Sequence, residues 1–226
     1  MTFKKRIDLT VYFFSGLAAD EKLFENLVLP SHLKVAYVYW IEPLKHEGLA
    51  EYCRRLSKQM DTTDEFVIVG VSFGGIVCVE LNKLVHPKQT IVISSIAIKQ
   101  ELRPLLKFIR RFSIHKMIPA GFYKWYSPIL NWYFGTKSER EKELLKFYTR
   151  SATKNYLKWA VNEIINWKNK QRPGNLFHIH GTNDRIFPYK RSGADVLIKK
   201  GSHLMIHNRA DEISAILSQR LNAITK

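Results

Sequence analysis

Apolar positions along the chain fall into two alternating rhythms. Val, Ile and aromatic residues crowd into short runs that read as strands: DLTVYFFSG, LKVAYVYW, EFVIVGV, QTIVISSIA and, much later, NLFHIHG and ADVLIKKG. Between them apolar residues recur at helical spacing, as in GLAEYCRRLSKQM, the stretch from Phe73 to Val85, and ADEISAILSQRLNAI. Asp211 and Glu212 suit the first turn of that last helix, and EKLFENLV reads as a short one. Strands that are apolar nearly throughout need cover on both faces, and alternation with helices makes them pair in parallel. The pattern predicts an α/β fold, a mostly parallel sheet of about six strands flanked by helices.

The rhythm breaks between Lys99 and Arg172, where helical spacing continues and no strand is evident. That is too long for a connection, so the reading divides the chain into a core domain, 1–98 and 173–226, and an inserted helical cap, 99–172. Fourteen aromatic residues lie between Phe108 and Trp167. Most are expected to form a core of the cap's own, and a few to line whatever it covers. The interval carries seventeen Lys or Arg against five Asp or Glu, a net of +12 out of the chain's +16. The positive charge belongs to the cap.

At 226 residues, 46% hydrophobic and 25% charged, the chain has the make-up of one globular domain with an insertion. Cys53 and Cys78 have no metal-ligand spacing and read as buried thiols in a reducing, cytoplasmic compartment. No apolar run reaches the ~18 residues of a membrane span. The start, MTFKKRIDLTVYFFSGLAAD, has the basic and apolar parts of a secretory signal. Asp8 interrupts it, however, and its short apolar run alternates as a strand does, so it is read as part of the fold.

The segment IVGVSFGG, Ile68 to Gly75, joins a strand directly to a helix. A bend that sharp strains the residue at its apex and pushes the side chain outward. Small residues are then needed on either side, here Gly70 and Gly74, with Gly75 adding room. Ser72 is thereby presented at the carboxyl edge of the sheet, facing a helix N-terminus whose N–H groups and dipole suit a developing oxyanion. A serine hydroxyl needs a base, itself oriented by a third group. HIHGTNDRIFP places Asp184 after a late strand, and VLIKKGSHLMIHN places His203 after the last one. Strand ends converge at one edge of a parallel sheet, so the three can meet.

Asp195 and His207 are the rival acid and base, the first at the wrong end of a strand and the second set toward the final helix. His178 and His180 alternate on one strand, which is metal-ligand spacing, but with no third ligand nearby they are read as packed residues. His32, His46, His86 and His115 read as loop or helix-end residues.

With Gly70-Val-Ser-Phe-Gly-Gly75, His180-Gly-Thr-Asn-Asp184 followed by Pro188, and Gly201-Ser-His203, the chain resembles the α/β-hydrolase superfamily, specifically its small lidded esterase, lipase and thioesterase-like members. The resemblance implies a Ser72–His203–Asp184 triad with an oxyanion hole from the N–H groups of Leu17 and Phe73. The family's turn after an early strand often holds a His-Gly pair. Here Ser15 replaces the His while Gly16 is kept, which leaves Ala18 as the alternative to Leu17. The chain also enters almost directly at the strand bearing this turn.

The function expected is hydrolysis of a small-molecule ester or thioester through an acyl-enzyme, with no cofactor and no metal. The basic cap favours a substrate with an anionic portion, such as an acyl-coenzyme A. The alternatives are a non-catalytic module binding nucleic acid or an anionic membrane surface, for which FYKWYSPILNWYF has the interleaved cations and aromatics, and a haloperoxidase-like or peptidase-like enzyme. No nucleic-acid partner is expected, and the sequence sets no oligomeric state.

Overall fold

The computed structural model describes residues 9–104, 111, 119, 121 and 126–224. Phe108, Phe112, His115, Phe122, Tyr123 and Trp125, and the basic start of the chain, lie outside them.

Six strands form one sheet: β1 (Thr10–Phe14), β2 (Lys34–Val38), β3 (Phe66–Val71), β4 (Gln89–Ile93), β5 (Leu176–Gly181) and β6 (Val196–Ile198). Their spatial order is β2-β1-β3-β4-β5-β6, and every neighbouring pair is parallel. β1, β3 and β4 are buried along their whole length, which is why their sequences are apolar without alternation. The edge strands β2 and β6 keep exposed positions.

Residues on opposite faces of the pleat enter different cores. Tyr12, Phe14, Ile68 and Val92 face α1 (Leu49–Leu56) and α2 (Phe73–Val85). Val11, Phe13, Val67, Val69, Ile91 and Ile93 face Ile213, Leu217 and Leu221 of the carboxyl-terminal helix, Ala210–Ile224. The stretch resembling a signal is thus in part β1, an interior strand paired on both sides. No helix of the described residues is long and apolar enough to cross a membrane.

Between β4 and β5 lie α3 (Pro128–Phe134), α4 (Glu139–Ser151) and α5 (Lys154–Asn166). Each opens on a side-chain cap: Ser127 before Pro128 at N1, Ser138 in a reciprocal box with Glu141, and Thr153 accepting from Tyr156 N–H. Gly135, left-handed at φ 69°, ends α3.

A core separate to this segment is not what its described residues form. Tyr156, Leu157, Ala160 and Trp167 join the α1/α2 core, and Leu144 and Tyr148 join the opposite one. Trp132, Tyr133 and Phe147 are exposed. Helices of this length bury too little among themselves, so they use the sheet domain as their partner. The last helices, α6 (Met205–Asn208) and α7 (Ala210–Ile224), follow β6.

Candidate active site

β3 ends at Val71 and α2 begins at Phe73, leaving Ser72 alone at the bend with φ 53° and ψ −116°. A non-glycine residue there carries strain of about 1–3 kcal/mol. The bend is held from both sides. Ser72 N–H donates to the Ile93 carbonyl at 3.0 Å, and Ser95 Oγ donates to the Ser72 carbonyl at 2.6 Å. The three glycines have three different neighbours. A Cβ on Gly70 would strike the Gly74 carbonyl, one on Gly74 the carbonyls of Phe14 and Ser15, and one on Gly75 the Ser95 side chain. Gly70 meets the helix that follows, as the sequence suggests, while Gly74 on that helix meets the end of the neighbouring strand β1.

The structure brings Ser72, His203 and Asp184 together. His203 Nε2 and Ser72 Oγ are 2.8 Å apart, and His203 Nδ1 and Asp184 Oδ2 are 2.8 Å apart. A carboxylate accepts, so Nδ1–H donates to Asp184, and neutral Nε2 accepts the Ser72 proton. Asp184 Oδ1 accepts from the N–H groups of Ile186 and Phe187, both at 2.8 Å. Burial pushes the Asp184 pKa up. The charge and hydrogen bond of His203, helped by His180 and Phe187 N–H, outweigh it and leave the carboxyl below its ordinary value. The His203 ring is flanked edge-on by Phe134 and Phe187, at 5.3 and 5.7 Å between centroids.

Neither rival joins this chain of hydrogen bonds. Asp195 precedes β6 at the opposite end of the sheet, where it accepts from His178 N–H and Arg172. His207 faces Glu25 at 3.3 Å and Glu141 at 3.6 Å.

Behind Asp184 is a pair that the sequence did not reveal as a network. His180 Nε2 lies 2.7 Å from the Phe187 carbonyl, which can only accept, so this nitrogen carries the proton. His180 Nδ1 then accepts from His178 Nε2–H at 3.0 Å. Both rings are fully buried, and burial lowers both pKa values, that of His178 well below the ordinary one. The two imidazoles are neutral packing groups that fix the turn carrying Asp184. Alternate strand positions are as consistent with that as with metal ligation, so spacing could not decide.

The loop after β1 closes on itself. Ser15 Oγ donates to the Ala19 carbonyl at 2.6 Å, Ala19 N–H donates to the Gly16 carbonyl, and Trp40 Nε1 donates to that same carbonyl at 3.0 Å. Ala18 takes φ 63°, and the buried Tyr156 hydroxyl makes no hydrogen bond among the described residues. Trp40 had no signal in the sequence, and Tyr156 was one of fourteen aromatics expected to form a core or line what the segment covers; the fold brings both to this loop.

Ser72 and His203 open into a cavity of about 320 Å³. Its walls include Leu130 and Phe134 of α3, Leu144 and Leu145 of α4, and Leu157, Val161 and Ile164 of α5. Among the described residues, no Lys, Arg, Asp or Glu lines it.

A wholly parallel sheet between helical layers, with a serine at the bend after β3 and acid and imidazole after later strands, is the α/β-hydrolase fold. Solved structures agree with it. An esterase from Thermogutta terrifontis superposes with a TM-score of 0.73 at 15% identity, over 96% of this chain and 91% of its own. MenH from S. aureus gives 0.71 at 13%, over 99% and 97%. A hydrolase from Pseudomonas aeruginosa gives 0.68 at 16%, over 95% and 90%. No protein-family model and no curated protein sequence matches the chain.

Proposed function

We propose that the protein is a serine hydrolase that cleaves a carboxylic ester or thioester with an apolar acyl group. The observation that carries this reading is the unbroken hydrogen-bonded path from Asp184 through His203 to Ser72, opening onto a cavity that no Lys, Arg, Asp or Glu of the described residues lines. Ser72 Oγ attacks the acyl carbon as its proton passes to His203 Nε2, and Asp184 holds the imidazolium that forms. The carbonyl oxygen, now negative, accepts from Phe73 and Leu17 N–H, each worth about 3–4 kcal/mol in such sites. Ala18 N–H is the alternative to Leu17. The tetrahedral centre collapses, the alcohol or thiol leaves with the proton from His203, and acyl-Ser72 remains. Water then repeats the sequence and releases the acid, a cycle complete without a metal or an organic cofactor.

The acyl chain lies beneath α3, α4 and α5, which act as a lid. A cavity of about 320 Å³ holds roughly ten groups of water size, the scale of a medium-length chain. The names esterase and hydrolase carried by fold neighbours agree with this reading. Two free, buried thiols suit the reducing cytoplasm, where we place the protein.

The test is a panel of p-nitrophenyl esters of increasing chain length, run with wild type and Ser72→Ala. Turnover should peak at medium length, and the variant should lose at least about 10⁴-fold in kcat together with fluorophosphonate labelling. A variant that keeps rate or label removes Ser72 as the nucleophile.

A further inference from the structure

A second cleft, of about 310 Å³, adjoins the catalytic cavity and shares Ala18 and Ala19 with it. It lies between the loops after β1 and β2 and the turn joining α4 to α5. Its walls are of another kind. Tyr39, Trp40 and Tyr156 give it aromatic surface, Asp20, Glu21 and Glu42 give it carboxylates, and no Lys or Arg among the described residues lines it.

In a chain of net charge +16, such a lining runs against the bulk. The carboxylates are not spent on ion pairs among the described residues. Asp20 accepts from Lys22 N–H and the Tyr148 hydroxyl, and Glu42 accepts from the Thr153 hydroxyl. Arg55 reaches the main-chain carbonyl of Glu42, but its charge is paired with Glu47 at 2.7 Å.

Resting on the hydrolase reading of Ser72, we propose that this cleft holds the leaving portion of the substrate, and that this portion is an alcohol bearing an ammonium group. Aromatic faces attract a cation through their quadrupole, most strongly where it is partly desolvated. Uncompensated carboxylates around the same space add long-range attraction. The apolar cavity takes the acyl chain and the acidic, aromatic cleft takes the cation, with the ester carbon between them at Ser72. The phosphates of an acyl-coenzyme A would meet the carboxylates instead, so the anionic substrate suggested by the basic residues of 99–172 is disfavoured at this cleft.

The experiment compares a choline ester with the 3,3-dimethylbutyl ester of the same acid, its uncharged isostere, and with the matching acyl-coenzyme A. At low ionic strength kcat/KM should be about tenfold higher for the choline ester than for the isostere, with acyl-coenzyme A poorest. The ratio should fall toward one in high salt and in a Glu21→Gln/Glu42→Gln double variant. A wild-type ratio near one, or a preference for acyl-coenzyme A, overturns the cation site while leaving Ser72-dependent hydrolysis standing. If neither ester nor thioester is turned over, the hydrolase reading fails separately. Calorimetry with tetramethylammonium chloride then decides: millimolar or tighter binding lost in the double variant upholds a cation site, and no binding overturns it.

Discussion

Ser72 occupies a backbone region that costs energy, and its neighbours are chosen to keep it there. Gly74 has no room for a side chain, because a Cβ there would strike the carbonyls of Phe14 and Ser15 at the end of β1. Gly74→Ala should therefore destabilise the fold by about 1–3 kcal/mol, as overpacking against backbone does. Gly174→Ala is the control: nothing stands within 4 Å of a Cβ there, and its effect should stay within about 0.5 kcal/mol. Urea denaturation of both variants checks this, and equal losses would refute the steric account. Ser72, Asp184 and His203 could be named from sequence because each sits just past a strand, where topology dictates the convergence. The contacts of Trp40 and His180 could not. Their partners, the Gly16 and Phe187 carbonyls, are main-chain groups, and any residue type can present those.

Among elements, the three helices before β5 are tied to the core at separate points. α3 reaches the loop of His203, with Leu204 N–H donating to the Phe134 carbonyl and Arg185 to that of Trp132. α5 docks through Trp159 Nε1 on the Glu47 carbonyl and through Glu163, which accepts from Leu49 N–H. α4 docks through Tyr148 on Asp20, Arg140 on Glu25, and Glu141 beside His207. The sequence marked these segments as helical, but it placed most of their aromatics in a separate core, since periodicity tells which face is apolar and not what covers it. The α4 contact carries a pH dependence. Glu141 raises the His207 pKa above its ordinary value, Glu25 adds to this, and burial opposes it; Asn26 and Asn208 are the neutral neighbours. A folded pKa above the unfolded one contributes stability fully below about pH 6.5 and loses it as pH rises through the folded value. The Tm advantage of wild type over His207→Gln should be larger at pH 6 than at pH 9. An advantage unchanged between those pH values would show that the contact is only steric.

Over the whole molecule, bulk quantities foretold less than positions did. Net charge located the cations in residues 99–172, but a net charge does not say which side chains line a cavity, and no Lys or Arg of the described residues lines the one that holds Ser72. Strand order, with β1 inside β2, was equally beyond reach, because every parallel strand here is apolar in the same way. The two cysteines, by contrast, were legible as buried thiols, and they report on the molecule as a unit. Cys53 on α1 and Cys78 on α2 are fully buried in the layer that those helices form against the sheet. Burial pushes both thiols well above their ordinary pKa, so neither ionises near neutrality. Their reaction with a disulfide reagent then requires the α1/α2 layer to open. Folded protein should release no thiol chromophore over minutes at pH 8, and protein in guanidinium should release two equivalents. With added denaturant both should react at one common rate, that of global unfolding. A single fast equivalent from the folded protein would instead mean that α1 lifts on its own, and that the layer is not one cooperative unit with the sheet beneath it.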